Sequence, residues 1–226
     1  MRILALETST EYCSVALWQD GNVSGRSELA GQRHSEILMD MLDAVLADAG
    51  ISLQHLDGLA FGRGPGSFTG VRIACGVVQG LALGVDIPVA GVCTLQALAE
   101  ASGQDKVIAV LDARMGELYH AAYEKQTGDW VEVSAPRVCK PTDVPLVPGT
   151  GWHLLGSGVA VDAALLDRYD GQLTRIDGSV VPQASAVARL GAREILRGAG
   201  LDAAQALPLY VRDKVALTTA ERQCAK

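Results

Sequence analysis

The sequence predicts an α/β protein made of two similar lobes, each with a mixed sheet covered by helices. A short apolar strand that ends in an acidic residue, a second strand and a polar turn occupy residues 2–7, 12–18 and 20–22. The same order returns at residues 106–112, 117–123 and 127–129. In both halves helical periodicity and short strands then alternate, which is typical of mixed sheets under helices. This internal repeat predicts one lobe at residues 1–105 and another at 106–226, with a C-terminal segment able to pack back on the first.

The first predicted helix spans residues 35–49. Its apolar residues recur at helical spacing, Ser35 is placed to cap its start, and Gly50 suits its end. In the second half, helical spacing predicts helices over residues 159–167 and 184–197.

The second predicted helix opens at a glycine-rich segment and runs through about Leu83 with almost no polar face. Gly76 and Gly80 lie one turn apart in it. Each glycine costs about 1 kcal/mol relative to alanine in a helix, a cost that is tolerated where another backbone approaches closely. We therefore expect this helix to be covered nearly all round.

The composition restricts the class of protein. Hydrophobic residues make up 49% and charged residues 20% of the 226 residues, which excludes a disordered chain and a coiled coil. The longest uncharged stretches, residues 73–85 and 87–99, are shorter than the roughly 18 apolar residues of a membrane span. The first acid arrives at Glu7, too early for a signal-peptide core. We therefore expect a cytoplasmic protein without a membrane helix.

The charge is uneven along the chain. The net charge is −7, and residues 1–105 carry 5 basic and 12 acidic residues, whereas residues 106–226 carry 14 of each. Proteins that bind nucleic acid alone usually carry clustered Lys and Arg, because phosphate contacts supply most of the affinity. Direct RNA binding is therefore not expected.

The cysteines and histidines show no metal-ligand spacing. The odd number of cysteines without a C-x-x-C pattern indicates reduced, buried thiols. The four histidines are equally scattered, so we expect no metal site. These residues are Cys13, Cys75, Cys93, Cys139 and Cys224, and His34, His55, His120 and His153.

A candidate phosphate loop lies between a predicted strand and the second helix. Inward-turned N–H groups and the helix start could bind a phosphate through Gly64, Gly66, Ser67 and Thr69. The segment lacks the lysine of a mononucleotide P-loop and misses the dinucleotide fingerprint by one residue. A tight strand-to-helix turn is the alternative, and the residues alone leave both open.

Two acids end the first strand of each lobe. Glu7 and Asp112 could bind magnesium or act as bases, or each could simply cap its own turn. Neither Ser67 nor Ser157 has the G-x-S-x-G pattern of an activated serine. These residues form no complete catalytic set.

The chain resembles the bacterial TsaB (YeaZ) family in three segments. They are ILALETST at residues 3–10, GPGSFTGVRI at 64–73 and DARMGELY at 112–119. The resemblance covers essentially the whole chain and implies a duplicated actin/sugar-kinase/Hsp70-like (ASKHA) fold. It implies a role in forming N6-threonylcarbamoyladenosine (t6A) at position 37 of tRNA, as a scaffold rather than as the transferase. The implied partners are TsaD, the larger catalytic paralogue, and TsaE, a small ATPase, with tRNA reached only through the complex.

Departures from the paralogue's pattern agree with a non-catalytic role. Alignment puts Thr94 and Leu98 where the paralogue has two metal-binding histidines, and neither can replace an imidazole ligand. Residues 112–115 (DARM) stand in place of a Ser-Gly-Gly phosphate turn, and their side chains would crowd a phosphate. The resemblance thus implies no metal and no tightly bound cofactor, with weak ATP or ADP binding possible. A possible remnant of the nucleotide-side turn comprises Gly156, Ser157 and Gly158.

Two enzyme classes are the alternatives. An ATP-dependent small-molecule kinase of the same fold is suggested by Glu7, Asp112 and the glycine-rich loops. A peptidase is disfavoured, because the sequence has neither a metal pair nor a nucleophile–base pair.

The two helices of the first lobe carry more apolar surface than one sheet can cover, which predicts an association surface. The resemblance implies that they form a helical bundle with TsaD, or with a second copy of the chain when the paralogue is absent. The alternative is that they pack only on each other and on their sheet. The residues assigned to this surface are Leu38, Met39, Leu42, Val45, Ile73, Gly76, Val77, Val78 and Gly80.

Overall fold

Two five-stranded sheets follow one another in the computed structural model, which describes residues 1–212. Cys224 and the rest of the polar tail lie outside the described residues. The first sheet contains β1 (Arg2–Glu7), β2 (Tyr12–Gln19), β3 (Asn22–Leu29), β4 (Gly58–Gly62) and β5 (Val89–Val92). The second contains β6 (Lys106–Asp112), β7 (Leu118–Gln126), β8 (Asp129–Cys139), β9 (Trp152–Leu155) and β10 (Leu173–Asp177).

Both sheets have the same strand order, β3-β2-β1-β4-β5 in the first and β8-β7-β6-β9-β10 in the second. In each sheet three antiparallel strands form a meander, and the last two strands run parallel to the first. The shared order confirms the predicted duplication and the α/β class. The arrangement is the duplicated ASKHA fold.

Among the described residues five helices cover the sheets: α1 (His34–Asp48), α2 (Phe68–Val85), α3 (Thr94–Ser102), α4 (Ala164–Arg168) and α5 (Ala184–Leu196). Two of the predicted helices need correction. Ser35 lies inside α1 rather than at its N-cap, which is Arg33. The helix predicted at 159–167 is a 3-10 turn at Ser157–Ala160 followed by the short α4.

The first sheet is covered on both faces because alternate residues of β1 point in opposite directions. Leu4 and Leu6 pack in a core with α1 and α2, while Ile3 and Ala5 pack with α5 on the other face. Two helices pack on the sheet of the other half of the chain. α5, from the second half, lies on the first sheet, and α3, from the first half, packs on β6 and β7 of the second sheet.

α2 is long and apolar enough to cross a membrane by length and composition alone, with a mean hydropathy of 1.5 over its 18 residues. The count of uncharged stretches missed this, because the helix continues through Arg72. Only 33% of the helix is buried, and Ala74, Val78 and Ala82 pack into the core of the first lobe. The expectation that α2 is covered nearly all round is therefore wrong for residues 1–212, because one sheet covers only one side of the helix.

Candidate functional site

A cleft of about 900 Å³ lies between the two lobes and collects most of the predicted loop residues. Gly66, Ser67 and Thr69 line it from the first lobe, and Asp112 and Ser157 line it from the second. The other glycines of the two candidate turns, at positions 64, 156 and 158, do not line it. The fold therefore places the two predicted turns opposite each other.

Close packing against the β1–β2 turn accounts for the glycines at the start of α2. A side chain at Gly66 would bring a Cβ atom to 2.5 Å from the Ser9 carbonyl oxygen, and one at Gly70 would overlap the Thr8 carbonyl oxygen. The Ser67 backbone N–H donates to the Ser9 carbonyl oxygen at 2.7 Å, so this N–H is already used within the chain. Ser67 also caps α2, its Oγ accepting from the Gly70 N–H at 3.3 Å. These contacts fit the strand-to-helix turn without a bound phosphate.

Close packing also accounts for the glycines of the second turn. A Cβ atom at Gly156 would overlap the Val110 carbonyl oxygen, and one at Gly158 would lie 2.8 Å from the Val110 Cβ atom. Ser157 Oγ accepts a hydrogen bond of 3.2 Å from the Asp112 backbone N–H. The turn thus holds the end of β6 in place.

The two strand-end acids do not meet in the cleft. Glu7 is fully buried, and its Oε1 accepts from the Ser9 N–H at 2.6 Å while no described residue bonds to its Oε2. Burial raises the pKa of this carboxyl above its usual value. Asp112 does line the cleft, where it accepts from the Arg114 N–H at 2.7 Å and from Arg114 Nη1 at 3.1 Å. Asp112 therefore caps its own turn, as the alternative expected.

The β6–β7 loop brings large side chains to the cleft. Arg114, Met115 and Gly116 all have positive φ angles, of 63°, 58° and 72°. Arg114 and Met115 line the cleft with exposed side chains, where the sequence predicted crowding of a phosphate.

Thr94 and Leu98 are completely buried at the start of α3 and in its core-facing stripe. Within residues 1–212 no group of three or more His, Cys, Asp and Glu side chains is placed to hold a metal ion.

The C-terminal segment packs back on the first lobe, as the sequence allowed, and crosses the cleft. We call residues 207–212 the C-terminal strap. The Leu209 N–H donates to the Arg63 carbonyl oxygen at 2.7 Å, and Arg72 Nε donates to the Tyr210 hydroxyl at 2.8 Å. Arg212 then bonds to Glu117 at 2.5 Å, which ties the strap to the second lobe.

The predicted association surface divides into buried and accessible residues. Leu38, Leu42, Val45 and Val78 are buried in the core of the first lobe, so their assignment as partner contacts is corrected. They face inward because the apolar stripe of each helix covers the sheet. The accessible residues are Met39, Ile73, Gly76, Val77 and Gly80.

The accessible residues of α2 continue further than predicted. Leu83 is 79% exposed, and Gly84 extends the row formed by Gly76 and Gly80 at four-residue spacing. A Cβ atom at any of these three glycines would meet nothing within 4 Å among residues 1–212 outside its own stretch of helix. We call the apolar surface of Ile73, Gly76, Val77, Gly80, Leu83 and Gly84 the glycine face of α2.

Comparisons with known proteins identify the family. A family model described as "TsaD: tRNA N6-adenosine threonylcarbamoyltransferase" matches residues 27–155. A protein of Escherichia coli, named tRNA threonylcarbamoyladenosine biosynthesis protein TsaB, is 37% identical over 96% of both chains. The protein of the same name from Haemophilus influenzae is 37% identical over 95% of both chains.

Solved structures give the same result. A Pseudomonas aeruginosa structure, described as an uncharacterized protein with similarity to peptidase YEAZ, has a TM-score of 0.87 and 38% identity. The match covers 93% of this chain and 99% of that one. A second structure, "YeaZ from Pseudomonas aeruginosa", has a TM-score of 0.85, 39% identity and coverage of 92% and 99%. Both the sequence and the fold therefore match over nearly the full length, and the chain belongs to the TsaB (YeaZ) family.

Proposed function

We propose that this chain is a non-catalytic scaffold subunit in the formation of t6A on tRNA. The names of its relatives from E. coli and H. influenzae support the pathway. In this role the chain binds a TsaD-type paralogue and a small TsaE-type ATPase in the cytoplasm, and tRNA is engaged by the complex.

The glycine face of α2 is the observation that carries the scaffold role. Gly76, Gly80 and Gly84 cost helix stability, and no other part of residues 1–212 packs against the positions where their side chains would be. Their smallness therefore has no use within the described chain. A helix from another protein could approach α2 closely along this row, with Leu83 and the neighbouring Met39 of α1 supplying apolar contact.

The TsaD-type paralogue is the proposed occupant because its family model matches more than half of this chain. Two subunits of one fold can present equivalent helices to each other across a pseudo-two-fold axis. The same geometry allows two copies of this chain to pair when the paralogue is absent.

The contents of the cleft argue against an enzyme. Of the two predicted acids, Asp112 is held by Arg114, and Glu7 lies buried outside the cleft. The remaining acid of the lining, Glu11, is exposed to solvent in the β1–β2 turn rather than at a strand end. A kinase of the same fold needs a carboxylate free to bind magnesium or to activate an acceptor hydroxyl. Weak ATP or ADP binding remains compatible with the scaffold role.

The functional test is the t6A content of tRNA in a bacterium depleted of its own copy of this protein. Wild-type protein should restore t6A, measured by mass spectrometry of digested tRNA, whereas Gly80→Leu should not. The matched control is Arg189→Leu, which introduces the same residue at an exposed position of α5, on the opposite face of the first sheet. Full restoration by Gly80→Leu would contradict the proposed surface, and normal t6A without the protein would contradict the function.

A further inference from the structure

A second cavity, of about 430 Å³, lies where β5, α5 and the β7–β8 hairpin meet. Its volume falls within the range of small-molecule sites, about 300–1,000 Å³. Among the residues that line it, only Leu209 and Val211 of the C-terminal strap also line the cleft between the lobes. None of its lining residues belongs to α1 or α2, so it is separate from the proposed partner surface.

Arg63 is the unusual residue of this cavity. Its Nε atom is buried and has no hydrogen-bond partner among the described residues, and no described carboxylate forms an ion pair with its guanidinium. The residue as a whole is half-buried, but a buried donor atom without a partner is rare. The guanidinium is therefore suited to an acceptor that comes from outside the chain.

The backbone holds Arg63 in this position. Its N–H donates to the Val92 carbonyl oxygen at 2.9 Å, and its own carbonyl oxygen accepts from the Leu209 N–H at 2.7 Å. The side-chain stem runs over Gly91, where an added Cβ atom would lie 3.0 Å from Arg63 Cδ. Because the backbone makes these contacts, the side chain can be changed without removing them.

The other charges of the lining are engaged or exposed. Asp129 accepts two hydrogen bonds of 2.7 Å from Arg197, and Arg193 lies 3.7 Å from Glu100. The two remaining acids of the lining, Glu132 and Glu194, are exposed. None of these acids neutralises Arg63.

The remaining walls suit an organic ligand. Tyr123, Trp130, Pro136 and Leu190 supply aromatic and apolar surface. Gln96, in the first turn of α3, also lines the cavity, and the start of this helix adds positive potential. Arginine offers a planar fork of donors that matches a carboxylate or a phosphate.

We infer that this cavity binds a small organic anion, in which a carboxylate or phosphate group pairs with Arg63 and an apolar or aromatic body packs against Trp130 and Leu190. Such a ligand would contact β5, the β7–β8 hairpin and the C-terminal strap at once. Its binding would therefore add contacts that join the two lobes.

The test uses benzoate and phenyl phosphate as anionic probes and benzamide as the neutral match of benzoate. Titration calorimetry on the full chain should show one site for at least one of the two anions, with benzamide at least about tenfold weaker, the ratio expected for loss of a charged hydrogen bond. In nuclear magnetic resonance spectra the bound anion should shift the indole N–H signal of Trp130, assigned by Trp130→Phe. The two anions together distinguish a carboxylate site from a phosphate site.

Arg63→Gln should weaken binding of that anion by at least about tenfold, while Arg189→Gln, an exposed arginine of α5 outside the cavity, should leave it unchanged. If Arg63→Gln does not fold, the inference is tested on the wild-type chain, by its preference for the anion over benzamide and by the shift of the Trp130 signal. Absence of binding by both anions, equal binding of benzamide, or equal binding by a folded Arg63→Gln variant would overturn the inference. Failure of the scaffold test would not affect it, because no residue that lines this cavity belongs to the proposed partner surface.

Discussion

The hydroxyl of Thr8 donates a hydrogen bond of 2.7 Å to the carbonyl oxygen of Gly70, and the Thr8 carbonyl oxygen occupies the space where a side chain at Gly70 would begin. The turn after β1 is thereby joined to the first turn of α2. Along the same helix, a Cβ atom at Gly76 would meet no other part of the described chain within 4 Å. Glycine thus serves two different purposes in one helix.

We expect alanine substitutions at these two glycines to have opposite effects on the free energy of unfolding. Gly70→Ala should lower it by about 1–3 kcal/mol, because the backbone must shift away from Thr8. Gly76→Ala should raise it by about 0.5–1 kcal/mol, because alanine favours the helix and meets nothing. Urea unfolding of both variants measures these changes in the free energy of unfolding. Destabilisation by Gly76→Ala would contradict the prediction, because it would show that another part of the chain already covers the glycine face of α2.

His120 should make the second lobe sensitive to acid. Its Nε2 donates to the Tyr169 hydroxyl at 2.8 Å, and that hydroxyl donates to the Pro145 carbonyl oxygen at 2.7 Å. Burial, together with the charge of Arg137, lowers the pKa of His120 to about 4. The unfolded chain takes up this proton near pH 6.5, so the contribution to stability is fully present above that pH and is lost as the pH falls toward 4.

The pH dependence is measured by urea unfolding of His120→Gln between pH 7 and 4. Relative to the wild type, the variant should lose less stability with falling pH, by up to about 1.4 kcal/mol per pH unit. His55→Gln is the control, because the exposed His55 imidazole hydrogen-bonds, among the described residues, to the local residue Ser52 alone. Identical slopes for His120→Gln and the wild type would contradict a neutral, buried His120.

The C-terminal strap should depend on Arg212 for its attachment to the second lobe. Arg212→Ala removes the bonds to Glu117 and to the Ala113 carbonyl oxygen, so the strap should open more often. Hydrogen exchange at the Leu209 N–H, which bonds to Arg63, should then become faster. Arg114→Ala, an exposed arginine that pairs only with Asp112, is the control, and unchanged exchange in Arg212→Ala would show that the first lobe alone holds the strap.

The purified chain should neither hydrolyse ATP at a useful rate nor bind tRNA tightly. The cleft offers no unengaged acid among its described residues beyond Glu11, and the first half of the chain carries an excess of seven acidic residues. Phosphate-release and gel-shift assays at about 0.15 M salt, near physiological ionic strength, measure both properties. Submicromolar tRNA binding by the lone chain would instead indicate direct recognition.

Local pattern was sufficient to predict the duplication, because β1 and β6 have the same apolar run and terminal acid. It was insufficient at the start of α1, where His34 is buried and its Nε2 donates to the Tyr12 carbonyl oxygen at 3.2 Å. Because of this long-range contact, His34 is part of the helix, which starts one residue before Ser35. For the C-terminal strap the sequence predicted only that a C-terminal segment could pack back on the first lobe. Its exact position could not be predicted, because its bonds reach Arg63 and Arg72, which lie far away in the sequence.

Periodicity also could not separate the two sides of a helix that is apolar all round. Val78 and Gly80 were both assigned to the association surface, yet Val78 packs in the core and Gly80 is exposed. Which side of α2 faces the core is determined by the position of the sheet, and this cannot be read from the periodicity of the helix. A charged substitution at Val78 would therefore unfold the lobe rather than test the surface, whereas Met39 is 42% exposed and can carry one.

The central claim is tested most directly by the affinity of the chain for its TsaD-type paralogue, measured by sedimentation velocity. Gly80→Leu fills open space in the isolated chain, so it should fold normally, and it should weaken assembly at least about a hundredfold by blocking close helix approach. Met39→Glu should weaken assembly too, and Arg189→Leu should not. Assembly of Gly80→Leu and Met39→Glu with wild-type affinity would contradict the account and place the interface elsewhere.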